Sequence, residues 1–331
     1  MIVLSRLSSA LAVIFCMLLV GAWQSAGAQT AASAPEKADI EVVPQSLSHR
    51  DTLFASAVSS QARLAVGARG LLLIGDASGK RWQRIATGAK DNWLAAIDLK
   101  DGGFLIAGSV GRLARVNAQG KLEQMTPIDT KSAILSLIRF DGRLYATGEF
   151  GALFVSADEG RSWQPEDMPW NQYLAQAWKE LGVAMPHLFG SCLSGDASTL
   201  YIVGEYGLVL GMHNGSWTQV HGGKVQPAIF ACATQGGSLY AVGQRGTVIR
   251  SADQGKSWTD QRFSDADLYA ALPTSRGLLV AGDLATLAAC MEKCRLVVAP
   301  DLPRWTLQLL ATGVADQVLL IGSGLKLVRL P

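Results

Sequence analysis

The sequence predicts an all-β fold, a seven-bladed β-propeller of four-stranded antiparallel blades. Three observations predict it. A unit recurs seven times at a period near 40 residues. β-Branched and aromatic residues crowd between closely spaced glycines, which argues against helices. Two units carry a turn that reads S-x-D-x-G-x-x-W.

The unit runs apolar–apolar–x–x–Gly–x–x–Gly into an apolar strand. Its copies are residues 64–70 (LAVGARG), 105–111 (LIAGSVG), 144–151 (LYATGEFG), 200–207 (LYIVGEYG), 239–246 (LYAVGQRG), 278–285 (LLVAGDLA) and 318–325 (VLLIGSGL). The first turn glycines are Gly67, Gly108, Gly148, Gly204, Gly243, Gly282 and Gly322, spaced by 41, 40, 56, 39, 39 and 40 residues. The outlier places an insertion of about sixteen residues between the third and fourth units, within positions 165–187. In the fifth unit, residues 228–234 form strand A, 239–242 strand B and 247–251 strand C, and Trp258 opens strand D. Paired glycines suit the hairpins because they adopt φ > 0 without steric cost.

The propeller spans residues 40–331. The last unit stops after its strand C, while residues 40–44 (IEVVP) precede the first strand A. Those residues are expected to complete blade seven and close the ring, which would leave no open sheet edge.

The S-x-D-x-G-x-x-W turns comprise Ser156, Asp158, Gly160 and Trp163, and Ser251, Asp253, Gly255 and Trp258. This is the Asp-box, or bacterial neuraminidase repeat. The carboxylate can cap turn N–H groups, the glycine permits φ > 0, and the Trp can pack between blades. Gly79 and Trp82 keep a degenerate copy and Gly215 and Trp217 a shortened one, while blades two and six lack it. With G-x-x-G before each box, seven units and an export signal, the chain resembles the bacterial relatives of the photosystem II stability and assembly factor propellers. The resemblance covers about residues 40–331. It implies a lumenal or periplasmic accessory protein that helps a membrane complex assemble. The expected partner is therefore a membrane-protein complex of the cell envelope, such as a transporter, bound by a monomer. Asp-boxes also occur in sialidases, so the alternative is a carbohydrate-acting enzyme or glycan-binding propeller.

The export reading rests on the first 28 residues. Arg6 precedes an eleven-residue apolar run at 11–21, and Ala26-Gly27-Ala28 offers a cleavage site after Ala28. A spanning helix takes about 20 apolar residues, so this is a signal peptide; the competing reading is an uncleaved anchor. A periplasmic or secreted, soluble protein is expected, with residues 29–39 as a disordered leader. Removing Arg6 from 29 basic residues leaves 28 against 27 acidic ones, which gives no footprint for nucleic acid.

Chemistry is sparse. No G-x-S-x-G elbow, complete phosphate loop or metal-ligand spacing of the four histidines occurs, and no sialidase-type arginine motif. A non-catalytic protein with neither cofactor nor metal is expected. Tyr145, Tyr201 and Tyr240 share one slot of strand B and read as packing residues.

Two surfaces are candidates for binding. D-to-A connections and B-to-C turns share one face, which brings Arg69, Glu149, Glu205 and Arg245 to its rim, beside Phe150, Tyr206, Gln244 and Asp283. The rim is either a solvated edge or a binding ring. The insertion leaves from that face. Asn171 can cap a helix over 172–181 with Leu174, Trp178 and Leu181 on one stripe beside Trp170 and Tyr173. Trp170, Tyr173 and Trp178 are either docking anchors or a stripe packed onto the propeller.

Of the four cysteines beyond residue 28, Cys290 and Cys294 stand where blade six lacks its box, and a hairpin would bring them together. Cys192 and Cys232 fall on adjacent inner strands and are either bonded or two buried thiols.

Overall fold

The computed structural model describes residues 36–330 except 38, 43–46, 49, 169, 174–181, 183–184, 223–225, 292 and 300. It is a seven-bladed β-propeller of four-stranded antiparallel blades. Blade 1 comprises Leu53–Val58, Arg63–Gly67, Leu72–Gly75 and Trp82–Arg84 as strands A to D. Blade 2 is Trp93–Asp98, Phe104–Gly108, Leu113–Val116 and Leu122–Gln124, and blade 3 is Ile134–Phe140, Arg143–Gly148, Leu153–Ser156 and Gln164–Pro165. Blade 4 is Leu188–Leu193, Thr199–Gly204, Val209–His213 and Ser216–His221, and blade 5 is Ile229–Gln235, Ser238–Gly243, Thr247–Ser251 and Thr259–Arg262. Blade 6 is Leu268–Thr274, Gly277–Gly282, Leu287–Cys290 and Cys294–Val298. Blade 7 takes Thr306–Ala311, Gln317–Gly322 and Leu325–Arg329, with Asp39–Val42 antiparallel to the last of these. Asp39 lies opposite Arg329 and Val42 opposite Lys326; Val43 and Pro44 fall outside the described residues. Glu36–Lys37 adds a parallel fifth strand to the outer edge of blade 6.

Strand A of each blade touches strand A of the next, and those of blades 7 and 1 also meet. The core lies between blades. Tyr145, Tyr201 and Tyr240 are buried there, as their shared slot implies. Strand B is buried almost throughout in every blade because both its faces meet neighbouring sheets.

The first turn glycines are needed for a reason other than positive φ. Gly243 has φ −168°, extended backbone open to any residue. A Cβ on it would stand 1.9 Å from the carbonyl oxygen of Ala228, just before strand A. The same clash, at 1.8 to 2.3 Å, recurs at all seven first glycines. Each strand A bulges after its first residue, as at Leu53/Ala55 and Leu188/Gly190. The bulge presses its backbone onto the glycine.

Cys192–Cys232 joins the inner strands of blades 4 and 5 with Cα atoms 5.7 Å apart, so this pair is bonded rather than free. Cys290–Cys294 bridges strands C and D of blade 6. Among the described residues no helix is long and apolar enough to cross a membrane.

Candidate functional site

The face formed by the B-to-C turns and D-to-A connections concentrates the unusual backbone. In blades 1 to 6 the residue two after the first glycine is left-handed: Arg69 (φ 54°), Val110 (54°), Phe150 (53°), Tyr206 (58°), Arg245 (55°) and Leu284 (51°). Such backbone is uncommon for non-glycine residues and an outlier for a β-branched one such as Val110. Two sets of hydrogen bonds hold it in the turns of Arg69, Phe150, Tyr206, Arg245 and Leu284. The preceding side chain accepts from the N–H that enters strand A of its own blade: Glu149 Oε2 from Ala133 at 3.0 Å, Glu205 Oε2 from His187 at 2.8 Å, Gln244 Oε1 from Ala228 at 2.9 Å and Asp283 Oδ1 from Asp267 at 2.9 Å. The left-handed residue then donates its own N–H to the next blade: Arg69 to Asn92 Oδ1 at 3.0 Å, Phe150 to His187 Nδ1 at 3.2 Å and Arg245 to Asp267 Oδ1 at 2.8 Å. This geometry turns the side chains outward. Leu284 is 72%, Phe150 64% and Val110 52% exposed.

Directly inside this ring lie the bulged residues of the inner strands: Phe54, Leu94, Leu135, Phe189, Phe230, Tyr269 and Leu307, all apolar or aromatic. From blade 3 to blade 6 the rings touch in series. Centroids are 4.7 Å apart for Phe150–His187, 6.0 Å for His187–Phe189, 5.1 Å for Phe189–Phe230 and 5.3 Å for Phe230–Tyr269. Sequence reasoning missed this arc. Its signal is the single apolar residue after the first position of each strand A, visible only once the bulges align the copies.

At the blade 6 end of the arc, burial raises the pKa of Asp267 and of Asp283 above the usual carboxylate range. Burial also raises the Tyr269 phenol, with both carboxylates adding to the shift. One oxygen of each carboxylate accepts a backbone N–H. Asp283 occupies the capping slot that Glu149, Glu205 and Gln244 fill elsewhere, so the pair belongs to the repeat geometry. Among the described residues no cluster of His, Cys, Asp or Glu could hold a metal ion.

The predicted rim residues divide. Arg69 and Arg245 are exposed, and Arg69 Nη2 donates to the Arg50 carbonyl at 2.7 Å. Glu149 is corrected: it is buried, with its carboxylate on the Ala133 N–H. The carboxylate of half-buried Glu205 is likewise used within its own blade. Trp170 is also corrected as an exposed anchor. It is buried in the core between blades 3 and 4, with its indole against Gly151. Tyr173 packs beside it and donates its hydroxyl to the Trp217 carbonyl at 3.0 Å. The helix described is Trp170–Tyr173, so Asn171 lies within it rather than capping it. Leu174, Trp178 and Leu181 fall outside the described residues.

The opposite face carries the C-to-D turns. Asp158 accepts from the Ser162 N–H at 2.8 Å and from the Ser162 and Ser156 hydroxyls at 2.6 and 2.8 Å. Asp253 repeats the set with Ser257 at 2.9 and 2.6 Å and Ser251 at 2.8 Å. These donors hold both carboxyls down at about 2. Trp258 Nε1 donates to Gly255 and, across the blade boundary, to Val220 at 2.9 Å.

No protein-family model matches the chain, and no curated protein matches it in sequence. Solved structures do. YCF48 bound to D1 peptide is 15% identical with TM-score 0.65, over 90% of this chain and 96% of that one. YCF48 from Cyanidioschyzon merolae is 12% identical with TM-score 0.66, over 88% and 99%. A virginiamycin B lyase from Staphylococcus aureus with quinupristin is 11% identical with TM-score 0.68, over 86% and 97%. Likeness at this identity establishes the propeller fold, a fold that carries a peptide-bound protein and a lyase alike.

Proposed function

We propose that this chain is an exported, non-catalytic propeller that binds a segment of an envelope membrane protein across its B-to-C face and assists that protein's assembly or stability. One observation carries the reading. Val110, Phe150 and Leu284 hold left-handed backbone where glycine would be comfortable, yet present large apolar side chains to solvent. Local strain of this kind is retained where exposed side chains have a task. The aromatic arc behind them extends the apolar surface toward the axis, and exposed Arg69 and Arg245 add charge at its rim. The YCF48 propeller bound to a D1 peptide supplies a precedent on the same fold.

Glycine substitution tests this, because it relieves the strain while deleting the contact. A V110G/F150G/L284G variant is expected to keep its fold, with stability unchanged or raised by up to about 1 kcal/mol per site. Crosslinked capture of the membrane partner should fall at least tenfold. Destabilisation would make the side chains structural, and unchanged capture would move the site off this face.

A second reading, a carbohydrate-acting or glycan-binding propeller, has the Asp267–Asp283–Tyr269 cluster in its favour. Asp283→Asn keeps an acceptor for the Asp267 N–H and so keeps the turn. Turnover of aryl glycosides that this change abolishes would replace the binding reading; no turnover in either protein is expected.

A further inference from the structure

We propose that the Cys290–Cys294 bond is a thiol–disulfide exchange site that controls how the N-terminal segment is held on blade 6. The inference comes from comparing equivalent turns within the molecule. In blades 1, 2, 3 and 5 a side-chain acceptor ties the C-to-D turn: Asp76, Asn117, Asp158 and Asp253. Blade 4 uses a two-residue Asn214-Gly215 turn between paired strands. Among the described residues of the blade 6 turn there is no such acceptor. A 3.3 Å backbone bond from Met291 to Lys293 and the disulfide close it. Among the described residues of this turn, the covalent bond stands where blades 1, 2, 3 and 5 carry a side-chain cap.

Its surroundings suit exchange. Cys290 is buried, whereas Cys294 is half-buried at the start of the outer strand. Cys294 follows exposed Lys293 at the mouth of the turn, and a cationic neighbour favours a thiolate and speeds its release from a disulfide. Met291 is 65% exposed beside it and offers an apolar contact for a protein partner. By contrast, Cys192–Cys232 joins inner strands and spans 40 residues rather than 4, so it closes a far longer loop and is expected to resist reduction.

The exchange partner is a protein dithiol. Its thiolate attacks Cys294 Sγ, the sulfur–sulfur bond breaks, and Cys290 leaves as a thiolate that takes up a proton. The partner's second thiolate then attacks the partner sulfur of the mixed disulfide, releasing Cys294 as a thiolate that takes up a proton and the partner as a disulfide. Two electrons pass from partner to pair. The consequence follows from the sheet. Strand Cys294–Val298 carries Glu36–Lys37, which leads directly to Asp39–Val42 on blade 7. Freeing the blade 6 turn loosens the strand on which that segment rests.

The test uses the purified full chain, titrated with dithiothreitol. Differential alkylation and mass spectrometry read each bond, and hydrogen exchange reads the amides of Glu36–Lys37 and Asp39–Val42. The Cys290–Cys294 pair should open at a dithiol concentration at least tenfold below that for Cys192–Cys232, with far-UV circular dichroism unchanged. Exchange at Glu36–Lys37 should rise at least tenfold, and a C290S/C294S variant should show the same rise without reductant. The idea is overturned if the two bonds open together, if Cys290–Cys294 opens only on global unfolding, or if reduction leaves exchange at Glu36–Lys37 unaltered.

Discussion

Single side chains set the acid behaviour of the two faces in opposite directions. Asp158 and Asp253 have folded pKa values of about 2, below the ordinary 3.8. Their contribution to stability is complete above pH 3.8 and is lost as pH falls toward 2. Asp267 and Asp283 are raised by burial, so their ionisation disfavours the fold, and stability declines as pH climbs from 3.8 through their folded values. Thermal melts from pH 2 to 7 should therefore separate D158N/D253N, which flattens the acid limb, from D283N, which flattens the decline above pH 4. Parallel curves for the two variants would contradict this assignment. The carboxylates of the first pair were legible in the sequence because they sit two residues before a glycine. Their counterparts were not: Asp76 and Asn117 stand three residues before Gly79 and Gly120, one residue too far for that spacing. Yet Asn117 Oδ1 accepts from the Lys121 N–H at 2.9 Å, so blade 2, which lacks the motif, still has a side chain holding its turn.

At the level of elements, the seven units and their strand order were legible because one physical constraint, a bulge pressed onto a glycine, repeats with the blade. The insertion was less so. Its contact is made through what Gly151 lacks: a Cβ there would stand 3.1 Å from the Trp170 indole. A glycine nineteen positions upstream gives no signal that it seats a tryptophan. The rim was misread for a related reason. Glu149 lies at a turn, where charged residues are usually solvated, but the bulged strand presents an N–H that needs an acceptor. Trp170→Ala should thus cost about 3 kcal/mol in urea unfolding, since it empties a buried indole site. Replacing the insertion with a Gly-Ser loop should lower the melting temperature as well. A loss under about 1 kcal/mol for Trp170→Ala would mean that the segment sits on the propeller without supporting it.

The whole molecule depends on how blade 7 meets both its own outer strand and blade 1. Gln308 Oε1 accepts from the Ser56 N–H at 2.7 Å and hydroxyl at 2.8 Å, and Arg63 donates to the carbonyls of Ala311 and Thr312. These contacts join the first and last blades near the axis. At the rim, Leu325–Arg329 is paired by Asp39–Val42, a strand from the other end of the described chain. We propose that this pairing closes the ring. A chain beginning at Arg50 would keep the inner contacts but leave Leu325–Arg329 as an open edge, one that includes Leu327 and Val328, now 1% exposed or less. Losing the ladder bonds of a four-residue strand should cost about 2–5 kcal/mol. A lower melting temperature and concentration-dependent association should follow. A synthetic peptide of residues 36–46 supplied in trans should restore both, because it re-pairs the edge without touching the inner strands. If the shortened chain melts like the parent, or the peptide changes nothing, the inner contacts alone hold the ring and the outer strand is an accessory to it.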